Sequence, residues 1–503
     1  MGRYRNPILP GCHPDPSVCR VGDEYFLVTS TFEHLPGLPV HRSVNLVDWE
    51  LIGHVVHDEI DFSDLPSSGG LFAPTIRWHD GRFFVVCTLV HGSQSTRHFV
   101  MTATDPGGPW SGPRWFDGVP GIDPSLTFDG DRVWLCGTRL ADPGLWPGQT
   151  DVWLRELDRH TLEPIGEERL IWHGALQGAV WAEGPHVLPR PGGGWMLLAA
   201  EGGTARDHAI CVAYADAVEG PYTGDPGNPR LTHRDLGEAS DIANVGHADL
   251  VDTPGGSTWA VLLATHTDGG LDSLLGRQTH LVPVAWEDRR PVFAPGVGRV
   301  RRDMAHDDLV DQAPPIAVRS DGFTSLDPQW NGVRRLPSMF ARAHGGALRL
   351  TAGEVPADGF LGRRLPEPRA TARIRVHVTA GLRAGLLLRT SDDDWAEVSV
   401  DPQGLVSAAI SVRASVRVAG ERQVTGAAVD LAIALDGFTA TALVDGSPVA
   451  SFDVSDLSTS RAGGFLGCWI GPFAVGVGEA VFERFELHAS DPSAAVDDRP
   501  HLV

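Results

Sequence analysis

The feature that most constrains this chain is a pattern that recurs five times within its first 300 residues. Five segments align: Asp15-Pro-Ser-Val…Asp23-Glu-Tyr-Phe-Leu-Val; Ala73-Pro-Thr-Ile…Gly81-Arg-Phe-Phe-Val-Val; Asp123-Pro-Ser-Leu…Asp131-Arg-Val-Trp-Leu-Cys; Glu183-Gly-Pro-His-Val…Gly194-Trp-Met-Leu-Leu; and His247-Ala-Asp-Leu-Val…Thr258-Trp-Ala-Val-Leu-Leu. Each starts at a small or polar anchor, runs through a short strand, turns at Asp or Gly and returns on an aromatic–aliphatic strand. The aromatic residue stands eleven positions after the anchor in three repeats (Phe26, Phe84, Trp134) and twelve in the other two (Trp195, Trp259). A turn with an aromatic follows in most repeats, at Asn45-Leu-Val-Asp-Trp49, Pro106-Gly-Gly-Pro-Trp110, Glu219-Gly-Pro-Tyr222 and Val284-Ala-Trp286, with a weaker version at Leu162-Glu-Pro. That piece suits the outer edge of a four-stranded sheet. Recurring units of several short strands are the signature of a propeller, and five of them predict five blades. A plain sandwich with coincidental hairpins would not align five anchors.

A propeller brings the first strand of every blade to the central axis, so the anchors Asp15, Ala73, Asp123, Glu183 and His247 converge on one cavity. Solvated surface groups have no reason to coincide in this way. Carboxylates gathered in a cleft perturb one another's pKa, which marks a functional site.

Composition removes several alternatives. The net charge is -23, which disfavours nucleic acid and anionic membranes as partners. All 41 basic residues are arginine. Without lysine there is no Walker-type phosphate loop, Schiff-base aldolase or pyridoxal enzyme. The six cysteines show no CxxC spacing, so neither a zinc ribbon nor a thioredoxin-like motif is expected. No run approaches membrane-spanning length and the N-terminus has no signal-like apolar stretch, so the expectation is a cytoplasmic protein with reduced thiols. His54-Val-Val-His57-Asp-Glu lacks HExxH spacing and reads as a solvated loop, and Asp129-Gly-Asp131 reads as a hairpin turn.

At these anchors the sequence resembles family 43 of the glycoside hydrolases, the β-xylosidase and α-L-arabinofuranosidase family. The resemblance is carried, in order over residues 4–290, by Asn6-Pro-Ile-Leu, His13-Pro-Asp15-Pro-Ser, Ser68-Gly-Gly-Leu-Phe-Ala-Pro74, Gly121-Ile-Asp123-Pro-Ser-Leu, Ala182-Glu183-Gly-Pro-His-Val and Leu275-Gly-Arg277-Gln-Thr. It implies that Asp15 is the general base, Glu183 the general acid and Asp123 the carboxylate that orients the acid and adjusts its pKa. It also implies inversion at the anomeric carbon, which requires a gap of roughly 6.5–9.5 Å between base and acid to admit a water. The resemblance further places Arg277 on the hydroxyls of the terminal sugar, Phe32 and Phe72 around that sugar, and Thr204 beside the pocket. His247 matches an axial histidine that holds a water or a structural calcium ion, or makes a core hydrogen bond. No cofactor is required for the reaction. Three features depart from the common family pattern: Phe72 in place of tryptophan, Gln278 in place of glutamate, and the pair Cys12-His13 before the base motif.

Residues 296–320 read as a linker, with an acidic run and Ala313-Pro-Pro. Beyond Asp321, period-two alternation with Gly and Asp turns predicts a jelly-roll-like β-sandwich. The expected organisation is therefore all-β: a five-bladed propeller over 1–315 and a sandwich over 316–503. A trailing sandwich reads by default as a carbohydrate-binding module. The resemblance implies a lid instead, with a loop near Gly467-Cys-Trp-Ile-Gly471 closing one end of the cleft and Trp469 either touching the leaving sugar or packed in the sandwich. A closed pocket makes the enzyme exo-acting on short oligosaccharides. Three readings follow: a β-xylosidase or bifunctional xylosidase and arabinofuranosidase, a strict α-L-arabinofuranosidase, and a catalytically silent sugar-binding propeller. The three carboxylates argue against the third. A homo-oligomer is compatible with each.

Overall fold

The computed structural model describes residues 2–92, 95–176, 178–267, 270–313 and 318–489. The aromatic–aliphatic return strands explain its first half. They are Glu24–Val28, Arg82–Val90, Arg132–Leu140, Trp195–Glu201 and Thr258–His266. Alternate side chains of a strand point to opposite faces, and here both faces are buried. Phe26 and Val85 enter one apolar cluster while their neighbours Leu27 and Val86 enter others. Likewise Trp134 and Leu197 meet in one cluster, whereas Leu198 and Leu262 meet in the next. Burying a side chain of this size stabilises by roughly 1.5–3 kcal/mol, so sheets stacked face to face in a ring satisfy these sequences where a half-exposed sheet would not.

Each return strand is the second strand of a blade. Blade 1 is Ser17–Val21, Glu24–Val28, Gly37–Ser43 and Glu50–Val56. The other blades start at Thr75–His79, Ile122–Asp129, Glu183–Pro189 and Ile242–Asp252. The predicted turn-plus-aromatic pieces at 45–49, 106–110 and 219–222 fall between third and fourth strands, and the weaker one at 162–164 runs into the fourth. The fifth does not: Trp286 lies within the third strand, Arg277–Glu287.

The ring is closed by the N-terminus. Gly2–Arg5 pairs with Asp303–His306, and the side chain of Asn6 accepts from the Leu281 amide at 2.8 Å while donating to the Leu281 and Arg301 carbonyls. Much of the expected linker therefore belongs to the propeller, because Gln312 also donates its amide to the Arg3 carbonyl. The expected boundary at 315/316 lies outside the described residues. His54 also differs from expectation. It sits buried in the strand Glu50–Val56, not in a solvated loop, while His57 is exposed.

The second half is a sandwich of two eight-stranded sheets around an apolar core that includes Phe323, Trp330, Leu386, Phe482 and Phe485. One edge strand of this sandwich comes from the propeller. His34–Leu35 pairs with Asn331–Val333, so the chain just after Phe32 is part of the sandwich sheet. Helix is confined to one four-residue turn, Thr459–Ala462, and three short 3-10 turns among the described residues.

Candidate active site

The anchors converge as the repeats require. Asp15, Ala73, Asp123, Glu183 and His247 line one pocket of about 350 Å3 on the axis. Local backbone aims them. Asp15, Asp123 and His247 have left-handed φ of 56°, 57° and 49°, and the pairing is bulged at Ile122/Ser125, Glu183/His186 and Gly246/Ala248. A bulge re-aims a side chain, and such conformations persist where the surroundings enforce them. In blade 4 the left-handed residue is Gly184, and a Cβ there would lie 2.8 Å from the His247 ring. Glycine is therefore required beside Glu183.

The three carboxyls sit in different electrostatic surroundings. Asp15 Oδ1 accepts from Arg277 Nη1 at 3.0 Å and Oδ2 from Ser30 Oγ at 2.6 Å, with His247 Nδ1 3.8 Å from Oδ1. Burial alone would push its pKa up, but Arg277, His247 and Ser30 together hold it below the ordinary carboxylate range. Glu183 is pushed well above that range, first by burial and then by the charges of Asp123 and Asp15. Asp123 is raised to about 6, chiefly by burial, although its Oδ2 accepts from the Gly184 amide at 3.0 Å. At neutral pH the pocket thus holds Asp15 and Asp123 mostly ionised and Glu183 protonated, a base facing an acid, the pairing that acid–base chemistry needs.

Arg277 reaches Asp15 from blade 5. Its Nη2 donates to the Phe465 carbonyl at 3.4 Å, its guanidinium stands 5.8 Å and 5.4 Å from the rings of Phe32 and Phe465, and its buried Nε has no partner among the described residues. An unpartnered buried donor is ready for a ligand hydroxyl. Phe32 packs edge-on against Phe72 at 5.1 Å and stacks on Phe465 at 5.8 Å, giving an apolar wall opposite the carboxyls. Thr204 lines the pocket from the loop after Trp195–Glu201. The segment leading to Glu183 is pinned by the buried Glu201 carboxylate, which accepts from the Ala175 and Leu176 amides.

The structure corrects one site residue. Trp469 is outside the pocket, fully buried, stacked on His34 at 4.0 Å and lying under Arg364. The residue that the sandwich extends into the pocket is Phe465, four positions earlier, held by its amide on Ser68 Oγ at 3.0 Å. Sequence reasoning missed it, although an aromatic flanked by Gly463-Gly464 and Gly467 in the loop expected to close the cleft was the available signal. Ser30 and Ile122 were missed too.

The carboxylate next along the strand from His247 is not available to a cation. Asp249, two residues on, is saturated by Arg77, Ser17 and the Val18 amide. Among the described residues no group of three or more His, Cys, Asp or Glu converges to hold a metal.

Comparison with known proteins identifies the family and the fold. The model for glycosyl hydrolases family 43 matches residues 4–291, and that for the β-xylosidase C-terminal concanavalin A-like domain matches 320–488. A xylosidase/arabinosidase from Butyrivibrio fibrisolvens is 36% identical over 93% of this chain and 95% of its own. A non-reducing end α-L-arabinofuranosidase from Bacteroides ovatus is 32% identical over 95% of this chain and 92% of its own. The crystal structure of a xylan β-1,4-xylosidase from Bacillus halodurans superposes with a TM-score of 0.88 at 27% identity, covering 97% of this chain and 100% of that one.

Proposed function

The chain belongs to family 43 of the glycosyl hydrolases, and from that premise we propose that it removes single xylose units, and arabinose units more slowly, from the non-reducing ends of short (arabino)xylan oligosaccharides. The observation that carries this reading is the opposed state of Asp15 and Glu183 in one small pocket capped by Phe465. A capped pocket accepts a chain end and a single sugar, and the flat ring of Phe32 suits the apolar face of a pyranose.

In this reading Asp15 is the general base. Arg277 and Ser30 hold its two oxygens, so it remains ionised and takes a proton from a water that attacks the anomeric carbon. Glu183 gives its proton to the glycosidic oxygen as the bond breaks, and the sugar leaves with inverted configuration. The two protons then exchange with solvent to restore the starting states. Asp123 keeps Glu183 protonated and fixes the backbone beside it through the Gly184 amide.

The Bacteroides ovatus relative supports a second reading, a strict α-L-arabinofuranosidase. Hydrolysis of paired aryl β-D-xylopyranoside and aryl α-L-arabinofuranoside, with Asp15→Ala as the control, separates the two. Faster xyloside turnover, with the α-anomer of xylose as first product by proton NMR, is expected. Preference for the arabinofuranoside would replace the first reading with the second, and wild type as inert as Asp15→Ala on both would overturn the two together.

A further inference from the structure

Beneath the pocket, one guanidinium ties together the inner strands of four blades. Arg77, on Thr75–His79 of blade 2, donates from Nη1 to Asp249 Oδ2 at 2.7 Å and to Ser17 Oγ at 3.2 Å. Its Nη2 donates to Asp249 Oδ1 at 3.2 Å and to His186 Nδ1 at 3.0 Å. Burial keeps His186 neutral, its pKa lowered to about 3, so this nitrogen is free to accept. Ser17 Oγ donates in turn to Asp249 Oδ2 at 2.7 Å and accepts from the Ile76 amide at 3.1 Å.

The partners of Arg77 are close in sequence to the reacting groups. Ser17 stands two residues after Asp15, Asp249 two after His247, and His186 three after Glu183. Blade 3 joins the same layer, because Ser125, two after Asp123, donates to the Pro185 carbonyl at 2.6 Å. Asp249 is fully buried and the Arg77 side chain is 14% exposed. Taking such a pair out of water costs so much that an apolar pair of similar volume is often equally stable or more so. What the pair supplies that an apolar plug would not is fixed geometry from a rigid, two-pronged donor.

We propose that Arg77 is a positioning residue for the hydrolytic reaction: locked on Asp249, Ser17 and His186, its guanidinium sets the relative placement of Asp15, Glu183 and His247 in the pocket above. This rests on the hydrolase reading. Misplacing reacting groups by about 1 Å can cost on the order of 100-fold in rate, so the loss should fall on turnover and not on affinity.

The test compares wild type, Arg77→Lys, Arg77→Ala and the apolar double variant Arg77→Met with Asp249→Leu, all assayed on an aryl β-D-xylopyranoside with circular dichroism to confirm folding. Arg77→Ala is expected to fold, with kcat down by about 30-fold or more and KM within about threefold. Added guanidinium ion, well below denaturing concentration, should restore part of kcat in Arg77→Ala and none in wild type, and Arg77→Lys should fall between. A folded Arg77→Ala with wild-type kcat would overturn the proposal. If Arg77→Ala does not fold, the double variant decides: folded and slow supports positioning, folded and fully active refutes it. Failure of both to fold also refutes it, since the pair then serves folding. A wild type inert on every glycoside removes the hydrolase reading and this inference with it, whereas an active wild type beside an unimpaired Arg77→Ala removes the inference alone.

Discussion

The guanidinium of Arg277 donates to Oδ1 of Asp15 at 3.0 Å, so the residue proposed to hold the sugar also holds the pKa of the proposed base down. Arg277→Ala removes the largest influence that lowers the Asp15 pKa and leaves burial, which raises it. The acid limb of the kcat/KM profile falls where Asp15 takes up a proton, so that limb should move to higher pH, by about one unit or more. KM should rise as well, through loss of the donor fork. A pH profile with an unmoved acid limb would show that Arg277 binds sugar without tuning Asp15.

Glu183→Gln tests the acid. A positioned general acid contributes about 100- to 10,000-fold, and that help matters most for a poor leaving group. The variant should lose about 1,000-fold on xylobiose and roughly tenfold or less on a nitrophenyl xyloside, whose leaving oxygen needs little protonation. Equal losses on both substrates would remove Glu183 from the acid role.

Asp123→Asn separates charge from shape. Asp123 raises the Glu183 pKa, so without that charge Glu183 gives up its proton at lower pH and the alkaline limb of kcat/KM should shift downward. The same variant should gain stability. The folded-state pKa of Asp123 is about 6, above its ordinary 3.8. The stability tied to this group is therefore complete below about pH 4 and lost as pH rises through 6. Melting temperatures should coincide near pH 4, and Asp123→Asn should melt a few degrees higher at pH 8. A variant less stable than wild type at pH 8 would contradict this account.

The five blades and the three carboxyls were legible in the sequence for the same reason. Return strands such as Tyr25-Phe-Leu-Val and Trp195-Met-Leu-Leu are buried on both faces, and a fixed spacing from each return strand locates the anchor on the axis. Contacts between distant parts of the chain left little local trace. Phe465 belongs to the pocket because its loop docks on Ser68, almost 400 residues earlier. Trp469 is a core residue because His34 comes across from blade 1 to stack on it. Nothing in the local sequence marks Arg77, and only closure of the ring brings Asp249, 172 positions away, to meet it.

One further contact between the halves has a measurable consequence. Glu33, next to Phe32, is fully buried, with Arg389 of the sandwich 3.4 Å from its Oε1 and the Ser68 amide 2.8 Å from its Oε2. Arg389 is buried as well and also holds Asp392 at 2.8 Å. Removing one member of a buried pair costs about 3–5 kcal/mol, because the other charge is left without compensation. Burial already raises the Glu33 pKa and Arg389 opposes that rise, so in Arg389→Met the carboxyl should titrate higher still. A group with a raised folded-state pKa loses its contribution as pH rises. The deficit in melting temperature of Arg389→Met should therefore be several degrees at pH 8 and smaller at pH 5, the direction in which Glu33 takes up a proton. Adding Glu33→Gln to Arg389→Met should recover much of the loss at pH 8. The stack of Phe32 on Phe465 depends on this junction, so KM for an aryl xyloside should rise in the single variant and fall back in the double. Equal deficits at both pH values, or a double variant no more stable than the single, would mean that Arg389 acts through packing on its own sheet and not through the charge of Glu33.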